Sequence, residues 1–236
     1  MSSVQLPPNR LLQALPTTDF EALRPRLKPF KLVKNTVLAE SGAASTHIYL
    51  PHSGAVSLVV SLSDGQTVEV AMIGQDSIVG AAASIGDGVS GLDAVVLFPG
   101  TASIIDIADF RMISGESAAF RNLLARHEQA ILAQAQQSAA CNASHSVEAR
   151  LSRWLLRARD LWDGKSLPMT QELLARLIGV QRNAISIVAH ALQQAGIIKY
   201  SRGRIEITDE SALQATACEC YRTFKARYDQ LLGTSR

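Results

Sequence analysis

The sequence predicts an α+β protein with three parts. These are an N-terminal antiparallel β jelly-roll barrel, a long helix, and a C-terminal helical segment closed by a β-hairpin. Three observations carry that reading. Between Thr36 and Ile107, short β-forming runs recur between turn-formers. Residues 117–140 contain neither Gly nor Pro and place apolar residues at helical spacing. Charge divides the chain: residues 1–146 carry 9 Lys+Arg against 12 Asp+Glu, whereas residues 147–236 carry 14 against 9. The expected domains are therefore a barrel over 1–115, a helix and hinge over 116–146, and a basic unit over 147–236.

Taken in order, residues 9–28 read as a helical lead-in interrupted at Pro16 and Pro25. The β runs are 47–50, 55–62, 67–73, 94–98 and 102–107. They are parted by pairs such as Ser41-Gly42, Ser53-Gly54 and Pro99-Gly100. Asp64-Gly65 sits between two alternating runs and predicts a two-residue type I′ hairpin with both central residues at positive φ. In the long helix, Phe120, Leu123, Leu124, His127, Ile131 and Gln134 form one stripe, while Ala130, Ala133 and Ala135 leave room for close approach. Cys141-Asn142-Ala143-Ser144 has poor helix propensity and reads as a hinge, with Ser144 or Ser146 capping the next helix, 147–162.

The most informative stretch is Thr170–Gly196. Thr170 is placed to cap a short helix whose buried face is Leu173, Leu174, Leu177 and Ile178. Ala175 is small where a second helix crosses, and Gly179 follows where a three-residue turn needs left-handed backbone. Ile185, Val188, Ala189 and Leu192 then face inward. This register predicts a helix-turn-helix. Its second helix turns Gln181, Arg182, Asn183 and Ser186 outward, residue types that read guanine and adenine edges in a major groove. Thr170 and Gln171 suit phosphate oxygens. Residues 197–207 form a hairpin with a basic tip, a wing whose Lys199, Arg202 and Arg204 meet the phosphate backbone. With 5% aromatic residues there is little base-stacking surface, which favours duplex over single-stranded DNA.

A barrel, a long helix, a hinge and a winged helix-turn-helix, in that order, resemble the Crp/Fnr family of bacterial transcription regulators. The resemblance is strongest over 167–207, with a weaker echo in HIYLPHSGAVSLV. It implies a homodimer paired through the long helix, a two-fold-related DNA site, and RNA polymerase as a further partner. Family members often carry Arg-Glu and then a second Arg on the recognition helix. Here those positions hold Arg182, Asn183 and Ile187, which implies a different DNA sequence. Ile187 is left to contact a thymine methyl or to pack inward. Members that bind cyclic nucleotides place a Glu after Gly and an Arg farther on. This chain has Ala81 after Gly80 and no Arg between Lys34 and Arg111, so the usual cyclic-nucleotide contacts are not expected. The effector is left unidentified.

No cofactor and no metal are expected. There is no cysteine before Cys141 to hold an iron–sulfur cluster, and His47, His52 and His127 read as surface or packed histidines rather than haem ligands. Residues 209–232 read as one helix on which Cys218 and Cys220 point about 200° apart, too divergent to chelate one ion. Structural roles are assigned to these thiols, with a redox switch as the other reading. No nucleophile motif, phosphate loop or paired-carboxylate constellation points to an enzyme. The competing readings are a barrel enzyme merely dimerised by its C-terminal helices, and a non-catalytic ligand-binding module. No apolar run approaches the roughly 18 residues of a membrane span. The opening MSSVQLPPNR lacks a secretory layout, so the expected location is cytoplasmic.

Overall fold

The computed structural model describes residues 7–232, so the extreme ends of the first and last expected domains lie outside the described residues. Asn9 caps α1 (Arg10–Ala14) by accepting from the Leu11 and Leu12 amides, and its own amide donates to the Pro51 and Ser77 carbonyls. After Pro16 comes α2 (Thr17–Leu23), followed by a 3-10 turn at Arg24–Arg26. The lead-in breaks at its two prolines. Next come β1 (Lys28–Leu32), β2 (Val37–Ala39), β3 (His47–Pro51), β4 (Ala55–Ser61), β5 (Thr67–Ile73), α3 (Ala81–Ile85), β6 (Asp93–Phe98) and β7 (Gly100–Asp106). None of the expected β runs covers β1 or β2, and α3 is not among the expected helices.

The strands form two sheets, β1-β7-β3 and β2-β6-β4-β5, with antiparallel pairing where β7 meets β1 and β3 and where β2 meets β6. Leu32, Ile48, Leu50, Val56, Val96 and Phe98 are fully buried, as period-two alternation requires of strands with one face on a core. The hairpin turn departs from expectation. The Leu62 amide donates to the Gln66 carbonyl (2.8 Å) and the Gly65 amide to the Leu62 carbonyl (2.9 Å), which closes a three-residue loop. Gly65 lies at φ +83°, but Asp64 is not in the left-handed region. The Asp64 carboxylate instead accepts from the Gln66 amide and side chain, both at 2.9 Å, so one glycine suffices.

The remaining elements are α4 (Ile107–Glu116), α5 (Ala118–Ser144), α6 (Val147–Leu161), α7 (Gln171–Ile178), α8 (Arg182–Gln194), β8 (Ile198–Ser201), β9 (Arg204–Ile207), α9 (Glu210–Thr216) and α10 (Cys220–Leu232). On α5, Phe120, Leu123, Leu124, His127 and Gln134 are buried, as the stripe predicts, and Ile131 is half-buried. Ala130 is buried in its own core and so is not available for close approach by another helix. Cys141 to Ser144 are helical despite their weak propensity, because Cys141 is fully buried. The break falls at His145, and Ser146 caps α6 by accepting from the Ala149 amide at 3.3 Å. Residues 209–232 are two helices, not one: α9 and α10 are separated at 217–219, with Cys218 in the link. That break removes the argument that Cys218 and Cys220 diverge.

The chain forms two compact units. One contains the residues up to Leu58, Ile73–Leu132 and those from Arg227 onward; the other combines Val59–Met72 with Ala133–Ala226. The second unit thus includes the tip of the β4–β5 hairpin. Among the described residues no helix is long and apolar enough to cross a membrane.

Candidate nucleic-acid interface

In the second unit, α7 begins where Thr170 Oγ1 accepts from the Leu173 amide at 3.1 Å. It ends at Gly179, which lies at φ +70°. There the Gly179 amide donates to Arg176 and the Val180 amide to Ala175, a paired closure that satisfies the last carbonyls of the helix. A Cβ on Gly179 would meet Val68 Cγ2 at 3.2 Å, so the turn is confined both by its backbone conformation and by the hairpin packed on it. Ala175 is 4% exposed and Ile185 is fully buried, so both lie in the packed interior of this unit. Val188 is half-buried, while Ala189 and Leu192 are buried.

The start of α8 carries Gln181, Arg182 and Asn183, all exposed. Ser186 is half-buried. Its hydroxyl lies 2.7 Å from Gln171 Oε1 and 3.1 Å from the Arg182 carbonyl, so it ties the first turn of α7 to α8. Ile187 is 71% exposed and does not pack inward. The wing turns at Arg202 and Gly203, with φ +49° and +72°, which is the type I′ pair expected at the other hairpin. Lys199, Arg202 and Arg204 are exposed. A Cβ on Gly203 would lie 3.5 Å from Thr170 Cγ2, so the wing tip sits against the start of α7. The Tyr200 amide donates to Gln193 Oε1 (2.8 Å), holding the wing to α8. These contacts bring Thr170, Gln171, Ser186, Arg182 and the wing together.

Not every cation of the basic segment serves this face. Arg150 and Arg157 are each 7% exposed. The Arg150 guanidinium donates to the Ile178 carbonyl at the end of α7, where a cation complements the helix dipole. Arg157 donates to the Met72 carbonyl at 2.9 Å and lies over the Phe224 ring. The charge count therefore overstates the exposed positive surface, because α6 is packed on more than one side. Two exposed residues went unassigned by sequence. Arg176 lines a cleft with Gln181 and Arg182, and His190 lies three and four residues beyond Ile187 and Ser186 on α8. Helical spacing alone could have found His190. Gln66 and Thr67 line the same cleft, and nothing local announces them.

The first unit encloses a cavity of about 140 Å3 lined mainly by Leu58, Ile73, Ile78, Gly80–Ala83 and Ile131. Its only charged or titratable lining residues are His127 and Glu128. His127 Nε2 accepts from the Ile78 amide (3.3 Å) and lies 2.6 Å from the Ser77 hydroxyl, while Nδ1 faces Glu128 Oε1 at 3.0 Å. A proton on Nδ1 directed at Glu128 leaves Nε2 to accept, as the contact with the Ile78 amide requires. Arg111 donates to the carbonyls of Ala83, Ser84 and Gly86, closing the end of α3. It is thereby taken up by the backbone. Of the other histidines weighed as haem ligands, His47 Nδ1 pairs with Thr46 and His52 Nε2 with Ser103, and burial pushes the His52 pKa down.

Residues 29–117 match the family model of the cyclic nucleotide-binding domain, and residues 149–216 match that of the Crp-like helix-turn-helix domain. Three solved structures are similar to this chain. A putative transcriptional regulator of the Crp/Fnr family from Eubacterium rectale aligns with TM-score 0.70 and 20% identity, covering 87% of this chain and 96% of that one. FixK2 from Bradyrhizobium japonicum aligns at 0.69 and 16%, covering 81% and 98%. The c-di-GMP-responsive global regulator CLP of Xanthomonas campestris aligns at 0.65 and 17%, covering 81% and 99%. Among curated proteins, no sequence match is found.

Proposed function

Because the chain belongs to the Crp/Fnr-like transcription regulators, with a sensor domain of the cyclic nucleotide-binding type and a helix-turn-helix domain, we propose that it binds a two-fold-related duplex site as a homodimer. Arg182, Asn183 and Gln181 read base edges, with Ser186 holding Gln171 in place. Thr170, Gln171, Lys199, Arg202 and Arg204 engage phosphates. The observation that carries this is the contact chain joining the exposed start of α8, through Ser186–Gln171 and Thr170–Gly203, to the basic wing.

Pairing is supported by α5. Ala125, Gln129, Leu132, Gln136 and Ala139 are all exposed and recur at alternating spacings of four and three, an uncharged seam of coiled-coil period. Leu132 is 57% exposed within a single chain. The likeness to Crp/Fnr regulators supports RNA polymerase as a further partner and the cytoplasm as the site of action. The protein is a regulator and no catalytic step is assigned to it.

The sensor cavity is proposed not to hold a cyclic nucleotide by the usual contacts. A cyclic phosphate there would face Glu128 with no lining guanidinium to offset its desolvation. The same holds at this cavity for a cyclic dinucleotide, to which the Xanthomonas neighbour responds. Genomic footprinting with the purified chain tests the reading. Protected half-sites should lie about 34 Å apart along the duplex. Protection without sequence preference overturns it.

A further inference from the structure

The second unit gathers all three cysteines of the chain and one histidine into a single cluster. Cys141 lies in the last turn of α5, and His145 follows the helix directly, its amide donating to the Cys141 carbonyl at 3.0 Å. Cys218 lies in the link between α9 and α10, and Cys220 opens α10. One ligand atom from each of the four lies within 4.8 Å of all the others. Cys141 Sγ is 3.5 Å from Cys218 Sγ, and Cys220 Sγ is 3.5 Å from His145 Nδ1.

We propose that Cys141, His145, Cys218 and Cys220 form a closed tetrahedral Zn(II) site that staples the α5–α6 junction to the α9–α10 link. A tetrahedron with Zn–S of about 2.3 Å and Zn–N of about 2.0–2.1 Å has S–S edges of about 3.8 Å and S–N edges of about 3.5 Å. The Cys141–Cys218 and Cys220–His145 separations are both close to those edges, and every pair lies within 4.8 Å, so binding requires only small side-chain adjustments. Three sulfur donors and one imidazole suit zinc among the divalent ions, and four protein ligands leave no open position for catalysis. An iron–sulfur cluster would spread its ligands around several irons, whereas these atoms converge on one point.

The surroundings complete the site. His145 turns Nδ1 inward, and its Nε2 lies 3.2 Å from Glu219 Oε1, the carboxylate–imidazole arrangement that orients a metal-bound histidine. Gln137 Nε2 donates to Cys220 Sγ at 3.0 Å. Cys141 and Cys220 are fully buried and Cys218 is 8% exposed, so solvent is largely kept from the sulfurs. Binding releases three thiol protons to solvent and leaves a net charge of −1 on the zinc–ligand set. Arg153 acts electrostatically on Cys141, and Arg150 on Cys141 and Cys218, which offsets that charge. A disulfide between two of the cysteines would account for neither the third thiol nor the oriented imidazole.

The test is elemental analysis of the untagged full-length chain purified under reducing, anaerobic conditions. One zinc per chain is expected, with Cys141, Cys218 and Cys220 protected from alkylation until the metal is removed. Cobalt exchanged into the site should give the visible absorption and near-ultraviolet thiolate charge transfer of tetrahedral Co(II). Cys218→Ser should lose the metal. Because that variant has the potential to misfold, Glu219→Gln provides a second arm. It should keep the stoichiometry and weaken zinc affinity about 10- to 100-fold. The proposal is overturned by a reduced, folded chain that binds no zinc at micromolar concentration, by iron or copper in its place, or by a disulfide in the freshly isolated protein. None of these readouts involves DNA, so failure here leaves the DNA-binding reading untouched.

Discussion

The barrel around residues 78–94 and the helix-turn-helix at 170–204 each keep the backbone of a known binding domain, yet they differ in what that backbone presents. At the C-terminal site the steric positions and the polar ones agree. Ala175 and Gly179 permit the crossing, and Gln181, Arg182, Asn183 and the wing cations are exposed beside it. In the barrel the turn and short helix survive at Gly80 and α3, but the cavity shows a ring of apolar groups with Glu128 and His127. Arg111, the nearby cation, is bound to backbone carbonyls. Packing constraints and ligand chemistry are thus separable. A fold of this kind is held by volume and φ, whatever charges line its cavity.

The sharpest way to break this contrast is salt. If the C-terminal site neutralises about 6–10 phosphates, duplex affinity should fall roughly 10³- to 10⁵-fold between about 50 and 200 mM salt. A flat titration, read by fluorescence anisotropy, would falsify the assignment of the polyanion to this end of the chain. Next in size, Arg182→Ala should cost about 1–3 kcal/mol on the specific site, roughly 5- to 150-fold, and leave random DNA little changed. Equal losses on both would demote Arg182 to a phosphate contact.

A smaller effect is expected at the wing. Arg202→Asn removes the charge but suits the type I′ turn, since Asn tolerates positive φ and Asn-Gly is the favoured pair there. It should weaken all sequences alike and reduce the salt slope by about 0.9. A change in base preference would show that the wing reads sequence. Smallest of all is the expected response to cyclic AMP: calorimetry should register no binding heat at micromolar ligand. Measurable affinity would close the gap between the two regions.

Legibility followed the range of the interactions. The strands at 47–51, 55–61 and 67–73, the buried stripe of α5 and the turn at Gly179 were readable, because each depends on periodicity or sterics among neighbours a few residues apart. The type I′ turn was assigned to Asp64-Gly65 and occurs at Arg202-Gly203. Dipeptide preference is a weak guide when a side chain such as Asp64 holds the backbone by its own hydrogen bonds. Arg150 and Arg157 add to the basic balance of 147–236 and prove to be buried, since helical periodicity does not say how many sides of α6 will be covered.

What the sequence determined alone was the order of parts and the helix-turn-helix register. Tertiary structure decided the packing of Val68 on Gly179, the placing of Gln66 and Thr67 beside Arg182, and the meeting of Cys141 and His145 with Cys218 and Cys220. The reason is physical. Backbone conformation responds to adjacent residues, whereas convergence across some eighty residues depends on which apolar faces bury one another, and that burial is a property of the whole packed chain.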